Sequence, residues 1–156
     1  MTEGPGPPLA LSVGAADSET LAALHAEAFD APWNAAAFAA LLDQPGVFGV
    51  REAGGFILCR TVLEEAEILT LAVRPQNRRA GLALRLIEAA AGLAALGGAE
   101  RLFLEVAEDN AAARALYGRL GFGQTGRRSG YYARAPGPPA DAVVLVLNLA
   151  GRLPTA

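Results

Sequence analysis

Residues Ile68 to Phe122 read ILTLAVRPQNRRAGLALRLIEAAAGLAALGGAERLFLEVAEDNAAARALYGRLGF, and the rest of the chain is organised around them. The stretch opens with an apolar run that contains enough β-branched residues for a buried strand. Arg74-Pro75 ends that run, because proline cannot continue a hydrogen-bonded ladder. A basic loop of small residues then leads directly into a helix. The pattern therefore predicts strand, loop, helix, strand and helix in that order.

The junction between this loop and its helix is the expected place for an anion. The first amide groups of a helix have no partner within the helix and lie at the positive end of its dipole. Gly81 and Ala83 would let a ligand approach the backbone closely, and Arg78 and Arg79 add full positive charges. Basic glycine-containing turns are common, however, so this loop is weak evidence for a site when taken alone.

The rest of the chain predicts helices and antiparallel strands around this stretch. The predicted helices run from a cap at Asp17 or Ser18 to about Phe29, with Leu21, Leu24 and Phe29 toward the core, and from an Asn34 cap to about Leu42. The helix after the basic loop ends at Gly97-Gly98. Its predicted apolar face consists of Leu82, Leu86, Ile87, Ala90, Leu93 and Ala94. The predicted strands are Leu9–Val13, a hairpin of Val47–Arg51 and Phe56–Leu63, Ile68–Val73, Arg101–Ala107, Phe122–Tyr132 and Ala142–Leu149. The helix between Ile68–Val73 and Arg101–Ala107 makes these two strands parallel.

Four features in this order resemble the signature of the GNAT family of N-acetyltransferases. They are the Arg-x-x-Gly-x-Ala spacing after a strand that ends in LAV, then Glu105, Asn110, and Tyr117 within ALYGRLGF. The resemblance extends from Pro32 to Leu147, and it is closest to the bacterial branch that acetylates the N-terminal alanine of a small-subunit ribosomal protein. It implies an α/β fold in a single domain, with a mixed, mostly antiparallel sheet, one parallel pair and helices on both faces.

The resemblance also implies which residues bind acetyl-CoA. The pyrophosphate would lie on the basic loop, and the pantetheine arm would pair with the preceding strand. An amide of that strand would polarise the thioester carbonyl, which requires the two parallel strands to splay apart. The residues implied are Leu71, Ala72, Val73, Arg78, Arg79, Ala80, Gly81, Leu82, Ala83, Leu84 and Asn110.

Glu105 is the candidate general base. It stands in LFLEVA, where every neighbour is apolar, and a carboxylate in a central strand costs free energy unless water or a partner compensates it. It would otherwise be a charge at the wet end of the strand or a partner for an arginine. The family places its base here. An α-amino group with a pKa of about 7.7–8.0 leaves that base modest work to do.

Tyr117 is, by resemblance, the candidate acid that protonates the CoA sulfur. It lies about two helical turns beyond Asn110, so both side chains can face one groove. The alternative for Tyr117 is a core tyrosine that packs under Phe122. Asn110 likewise has a sufficient structural role as the N-cap of its helix.

Three aromatic residues are candidates for the acceptor site: Trp33, Tyr131 and Tyr132. Trp33 lies in the turn between two predicted helices, which the family uses for its acceptor; otherwise it is a hydrophobic plug between those helices. The tyrosines end the segment RRSGYY, which resembles an acceptor-lining segment of the alanine-acetylating branch. Its arginines are expected to attract an acidic stretch or carbonyls of the peptide. Gly130 stands where a bulkier polar residue is expected, and the proline-rich loop that follows also differs.

Composition narrows the remaining classes. With 156 residues, 53% of them apolar, and a net charge of −3, the chain is expected to form one domain and not to bind nucleic acid directly. Cys59 is the single cysteine and should be buried in a strand, so no disulfide or four-cysteine zinc site is expected. His25 is expected to be solvated or hydrogen-bonded rather than a metal ligand, and no metal is expected.

The expected organisation is a flexible tail over residues 1–8, the acetyltransferase domain over residues 9–150 and a short tail over residues 151–156. The first residues lack a basic region and no long apolar segment follows, so the protein is predicted to be cytoplasmic, without a membrane partner. Three functions stay open: acetylation of a protein N-terminus, acetylation of a small amine, and non-catalytic binding of acyl-CoA. Binding CoA requires neither Glu105 nor Tyr117, so their presence favours an enzyme.

Overall fold

The computed structural model describes residues 11–78, 81–134 and 137–150. Two compact units divide the chain. The first contains the described residues up to Arg60 together with Leu69–Ala90, and the second contains Thr61–Ile68 together with the described residues from Ala91 onward. The predicted tails at residues 1–8 and 151–156 lie outside the described residues. They stay predictions, as do the domain limits.

The described residues form seven strands of one mixed sheet and four α-helices. The strands are β1 Leu11–Ser12, β2 Val47–Glu52, β3 Gly55–Val62, β4 Glu65–Val73, β5 Arg101–Ala107, β6 Gly123–Tyr132 and β7 Ala140–Asn148. The helices are α1 Ser18–Ala28, α2 Ala35–Leu42, α3 Leu82–Leu96 and α4 Ala111–Arg119. The strand order in the sheet is β1-β2-β3-β4-β5-β7-β6.

The pairing of the strands confirms the predicted mixed sheet. Strands β4 and β5 are parallel, with a register from Glu65↔Arg101 to Glu67↔Phe103. The pairs β1–β2, β2–β3, β5–β7 and β6–β7 are antiparallel. The parallel relation follows from the connection through α3, because a parallel crossover needs a dozen or more residues. Among the described residues, no helix is both long enough and apolar enough to span a bilayer.

The hairpin of the first unit forms where it is predicted, with shifted ends. Strands β2 and β3 pair from Val47↔Arg60 to Glu52↔Gly55, and Gly54 takes the positive φ of +91° in the turn. A Cβ on Gly55 would lie 2.8 Å from the Ala72 carbonyl oxygen, so only glycine fits this close approach to β4. In the following turn, Leu63 has a φ of +55° and is 84% exposed, so its prediction as a strand residue is wrong.

Helix α1 differs from its prediction at both ends. Asp17 occupies the N-cap position, as predicted, but its side chain makes no capping hydrogen bond: the carboxylate accepts the Gly14 N–H at 2.8 Å and pairs with Arg51 at 3.3 Å. Phe29 lies beyond the helix with extended backbone and is 41% exposed, so its prediction as a core residue is wrong. A helical period cannot identify such a residue, because the chain leaves the helix one position earlier.

Helix α2 begins as predicted, because the Asn34 side chain accepts the Ala37 N–H at 2.8 Å. Its Phe38 is fully buried. The first unit is built on one apolar cluster. The buried members of this cluster are Leu21, Phe38, Phe56, Leu58 and Ala72. Cys59 is fully buried in β3, as predicted.

Helix α3 presents most of its predicted apolar face to the interior. Leu82, Leu86, Ile87, Ala90 and Ala94 are at most 3% exposed. Leu93 is 38% exposed, so its assignment to this face is wrong; Ala91, at 1%, is buried in its place. The helix ends at the predicted glycine pair, where Gly98 adopts a φ of +98°.

In the second unit, α4 begins after Asn110 and Gly121 takes the positive φ of +97° beyond its end. The Phe122 N–H donates to the Tyr117 carbonyl at 3.1 Å, so Phe122 still belongs to the helix terminus. Strand β6 therefore starts one residue later than predicted. Strand β7 lies between β5 and β6 and pairs with both.

Candidate functional site

The junction of the basic loop with α3 has the backbone that the anion-site prediction needs. Gly81 has a φ of +78°, a backbone conformation that is strained for any residue with a side chain. If Gly81 carried a Cβ atom, that atom would lie 3.6 Å from Nη1 of Arg85, an ordinary van der Waals contact, and, apart from its neighbours in the chain, no other described residue would lie within 4 Å. The described residues therefore leave the backbone of Gly81 open to a ligand. Arg78 is exposed, whereas Arg79 and Ala80 lie outside the described residues.

Arg85 is a cation at this junction that the sequence analysis missed. Its amide donates to the Gly81 carbonyl at 3.1 Å, which places Arg85 on the first turn of α3. Its guanidinium contacts both carboxylate oxygens of Glu52, at 3.2 and 3.3 Å. The Glu52 side chain is only 3% exposed, so Arg85 compensates a buried charge while standing beside Gly81. The one signal in the sequence was a charge inside the apolar run LALRLI.

The end of β4 directs its backbone groups to two different edges. The Ala72 carbonyl faces Gly55, and the Arg74 N–H donates to the Gly54 carbonyl at 2.8 Å. Successive residues of a strand direct these groups to opposite edges. Those of Leu71 and Val73 therefore point away from β3. This is the orientation in which they could pair with an extended ligand, and that role stays a prediction.

Glu105 lies in β5 between the buried side chains of Leu104 and Val106. Its own side chain is 15% exposed, and its Oε1 atom is 3.0 Å from Nε of Arg128. One of the interpretations left open by the sequence, a partner for an arginine, is therefore present. Arg128 is 58% exposed and belongs to β6, which β7 separates from β5. The pair thus joins a mostly buried acid to a cation that water reaches freely.

Tyr131 and Tyr132 lie close to Arg128 and Glu105, respectively. Burial, followed by the negative charge of Glu105, raises the pKa of Tyr132. The two tyrosine rings meet edge to face with centroids 5.0 Å apart. The Arg128 guanidinium lies 5.3 Å from the centre of the Tyr131 ring. The structure therefore brings together the predicted base and two of the three predicted acceptor residues.

Gly130 has a structural reason for replacing a bulkier residue. Its φ is +61°, and its N–H donates to Oδ1 of Asp141 at 2.8 Å. The register of β6 against β7 shifts between Arg128 and Tyr132, so Gly130 stands in an irregular part of the strand. The glycine permits a bend that a larger side chain would strain.

Arg127 is engaged within its own chain. It lies 2.6 Å from Glu108 and 2.9 Å from Asp141. The hydrogen bond from Arg127 lowers the pKa of Glu108, and bonds from the Gly130 amide and from Arg127 lower that of Asp141. Two carboxylates therefore hold the charge that was expected to attract an acidic peptide.

Tyr117 and Asn110 both have the structural contacts that the sequence left as alternatives. Tyr117 is 6% exposed, and its ring meets Phe122 edge to face at 5.3 Å. The Asn110 side chain accepts the Ala113 N–H at 3.1 Å, which confirms its capping role. Their roles toward the CoA sulfur and pantetheine stay predictions.

Trp33 belongs to the first unit, where it is half-buried. Its ring stacks on His25 at 4.9 Å and packs on Phe38 at 5.5 Å. The plug interpretation is therefore supported, and its acceptor role stays a prediction. His25 is 3% exposed and bonded through both ring nitrogens, so it is hydrogen-bonded, as expected. Within the described ranges, no cluster of three or more His, Cys, Asp or Glu side chains could hold a metal ion.

Comparison with known proteins places this arrangement in a family. The sequence profile described as "Acetyltransferase (GNAT) family" matches residues 18–122. A protein of Haemophilus influenzae named "[Ribosomal protein bS18]-alanine N-acetyltransferase" is 30% identical over 144 residues, which cover 88% of this chain and 96% of that protein. A protein of the same name from Haemophilus ducreyi is 36% identical over 94 residues. That alignment spans 60% of this chain and 65% of the relative, which is just under two thirds of its length.

The structural comparison agrees. The crystal structure of the ribosomal-protein-S18-alanine N-acetyltransferase from Escherichia coli superposes with a TM-score of 0.82 at 28% identity, and covers 96% of this chain and 97% of that one. The profile match, the relatives and the shared fold lead to one conclusion. This chain belongs to the GNAT family of acetyltransferases, which use acetyl-CoA as co-substrate.

Proposed function

We propose that this protein transfers the acetyl group of acetyl-CoA to the α-amino group of a protein N-terminus, and that its acceptor begins with alanine, as in ribosomal protein bS18. The observation that carries the proposal is the mostly buried carboxylate of Glu105, held by Arg128 beside two tyrosines. The names of the relatives from Haemophilus support this choice of acceptor. A ribosomal protein is made in the cytoplasm, so this acceptor implies a cytoplasmic enzyme.

The residues of the first unit suit the binding of acetyl-CoA. The open backbone at Gly81 and the first amides of α3 can receive the pyrophosphate, with Arg78 as an exposed cation. The backbone of Leu71 and Val73 can pair with the pantetheine arm. The bound co-substrate supplies an activated acetyl group as a thioester.

In the second unit, Glu105 is suited to receive the acceptor. An α-ammonium group and the Arg128 guanidinium are both cations, so either can pair with Glu105. Arg128 is 58% exposed, so it can move into water as the ammonium arrives, and the mostly buried carboxylate exchanges one cation for another without losing its compensation. Glu105 would then take a proton from the ammonium, directly or through water.

The transfer itself needs a proton at each end. Once Glu105 holds the proton of the amine, the neutral nitrogen attacks the thioester carbonyl, and the C–N bond forms as the C–S bond breaks. Tyr117 gives its hydroxyl proton to the departing thiolate. The nitrogen loses its second proton as it becomes an amide, and that proton returns to the Tyr117 oxygen through water. By resemblance, Trp33 of the first unit and Tyr131 and Tyr132 of the second are each expected to contact the acceptor. Aromatic walls suit a slot for backbone and small side chains.

Matched peptides test the acceptor. One peptide carries the bS18 N-terminal sequence with a free alanine, and the other is blocked at its N-terminus and carries an internal lysine. We expect the enzyme to acetylate the first with at least about tenfold preference, because a lysine with a pKa of about 10.4 is far less often neutral at pH 7. Acetylation of the blocked peptide alone would contradict the proposal. Acetylation of neither peptide would favour a small-amine acceptor.

A matched pair of glycine variants tests the co-substrate. Gly81 and Gly98 have positive φ angles of +78° and +98° just outside opposite ends of α3, and both have open space for a side chain. Glutamate at either position strains the backbone in a similar way. Only Gly81→Glu would place a negative charge where the pyrophosphate is expected. Calorimetry should show that this variant loses at least about tenfold in CoA affinity relative to Gly98→Glu. Equal CoA affinities of the two variants would show that CoA does not bind at this junction.

A further inference from the structure

His25 holds both ends of the connection between α1 and α2. Its carbonyl accepts the Phe29 N–H at 3.0 Å, at the start of the connection. Its Nδ1 atom accepts the Trp33 N–H at 3.1 Å, near the end of the connection. The residue is only 3% exposed, so water cannot readily replace these bonds.

The bond to Trp33 determines the protonation of the ring. A backbone amide can only donate, so Nδ1 must keep its lone pair. The proton of the neutral ring is therefore on Nε2. That atom lies 3.2 Å from the Thr70 hydroxyl oxygen in β4, and it donates there. A proton on Nδ1 would face the Trp33 amide proton and break the bond.

Aromatic rings enclose the imidazole. Phe29 and Trp33 stack on it with centroids 4.2 and 4.9 Å away, and Phe38 meets it edge-on at 5.4 Å. None of these neighbours is charged. Glu27, two positions further along α1, is engaged by Arg74 at 2.8 Å. Burial accordingly lowers the pKa of His25, which keeps the ring neutral.

We propose that His25 is a positioning residue, which as the neutral Nε2–H tautomer fixes the turn that carries Trp33 and thereby orients the indole. Where the indole forms a wall of the acceptor channel, an assignment that rests on the proposed function, His25 sets how tightly the acceptor peptide binds. His25 itself touches neither substrate. It acts through the backbone of Trp33 and through the stacked rings.

The tautomer can be measured in the unchanged protein. His25 is the single histidine, so protein without a histidine tag and labelled with ¹⁵N-histidine gives one pair of ring-nitrogen signals. We expect a protonated Nε2 and an unprotonated Nδ1 at pH 7.5. A protonated Nδ1, or rapid exchange between the two tautomers, would overturn the proposal.

Two variants separate the bond to Trp33 from the bond to Thr70. The amide oxygen of His25→Asn can take the place of Nδ1, whereas the longer His25→Gln reaches toward Thr70 and leaves the Trp33 amide without an acceptor. We expect His25→Gln to raise the acceptor KM about tenfold, the scale for losing a partner of a buried amide. The KM for acetyl-CoA and kcat should stay within about twofold, and His25→Asn should stay within about threefold of wild type in every constant.

Trp33 is the single tryptophan, so its emission reports on the turn without any substrate. His25→Gln should shift the emission to the red and make it easier to quench with acrylamide, and His25→Asn should restore it. Identical emission and KM in both variants would overturn the proposal. If the wild-type enzyme acetylates no peptide, the proposed function fails, while the emission and the tautomer still decide the role of His25. Circular dichroism identifies a variant that has not folded, and the tautomer measurement then decides.

Discussion

The two aromatic regions that carry the predicted acceptor residues are held by opposite kinds of force. Around Trp33, rings stack on a neutral histidine, and the polar atoms of that histidine bond to a backbone amide and a hydroxyl. Around Tyr131 and Tyr132, exposed arginines lie over the rings and pair with carboxylates. The first arrangement depends on burial and the second on charge. The two regions should therefore respond to different perturbations.

The largest expected effect comes from removing a packed ring from the region around Trp33. Phe38→Ala should lower the free energy of unfolding by about 3–5 kcal/mol, because this ring is fully buried against His25 and Phe56. Phe29→Ala is the control, since that ring is 41% exposed, and it should cost less than half as much. Urea denaturation followed by circular dichroism measures both. Equal losses would mean that burial does not distinguish the two rings.

The next effect concerns the charge of the second region. Glu105→Gln keeps the shape of the side chain and removes the base, so kcat should fall by about 10²-fold or more. Glu108→Gln is the matched control, because Glu108 pairs with Arg127 rather than Arg128, and its kcat should stay within about twofold of wild type. Tyr117→Phe should resemble Glu105→Gln if Tyr117 is the acid. Unchanged turnover in both Glu105→Gln and Tyr117→Phe would favour a non-catalytic acyl-CoA-binding module.

Lowering the pH should destabilise the two regions in different pH ranges. Burial lowers the pKa of His25 in the folded protein. As the pH falls, His25 is therefore protonated in the unfolded chain before it is protonated in the folded one. The folded protein loses stability below the pKa of histidine in the unfolded chain, which is about 6.5. The pKa values of Glu108 and Asp141 are also lowered, so their contribution is present above about pH 4 and lost as pH falls further. Unfolding free energies from pH 7.5 to 5 should fall in wild type and stay nearly level in His25→Asn. Parallel curves would contradict the buried, neutral histidine.

The smallest effect is the response to salt. Raising the ionic strength from 0.1 to 1 M shortens the Debye length from about 10 to about 3 Å, which weakens exposed ion pairs. The stability difference between wild type and Arg127→Gln should shrink at 1 M salt. Trp33 emission should not change, because its neighbours are uncharged. A salt-dependent emission would show that charge also holds the first region.

Most of the fold could be predicted because local patterns determine it. Asn34 and Asn110 cap their helices, and Gly54, Gly98 and Gly121 take the positive φ angles at which helices and strands end. The errors share one cause. Asp17, Phe29, Leu63 and Leu93 fit the local pattern, but long-range packing decides which residue is covered and which carboxylate finds a distant partner.

The candidate site divides in the same way. Glu105, Asn110, Tyr117 and the glycine of the loop could be identified by spacing and resemblance. The contact of Arg85 with Glu52 joins residues 33 positions apart, and the bond of His25 to Thr70 joins residues 45 positions apart. No local pattern encodes such a pair.

The order of the elements, the family and the residue types available for acetyl transfer could all be predicted from the amino-acid sequence. Local hydrogen bonding, glycine conformations and hydrophobic periods act over a few residues, and they can be recognised without knowing the fold. The folded structure was needed to show that Arg128 pairs with Glu105, that two acids neutralise Arg127, and that His25 stays neutral beside Trp33. The charge state and the orientation of a side chain depend on its neighbours in space, and folding brings those neighbours together from distant parts of the chain.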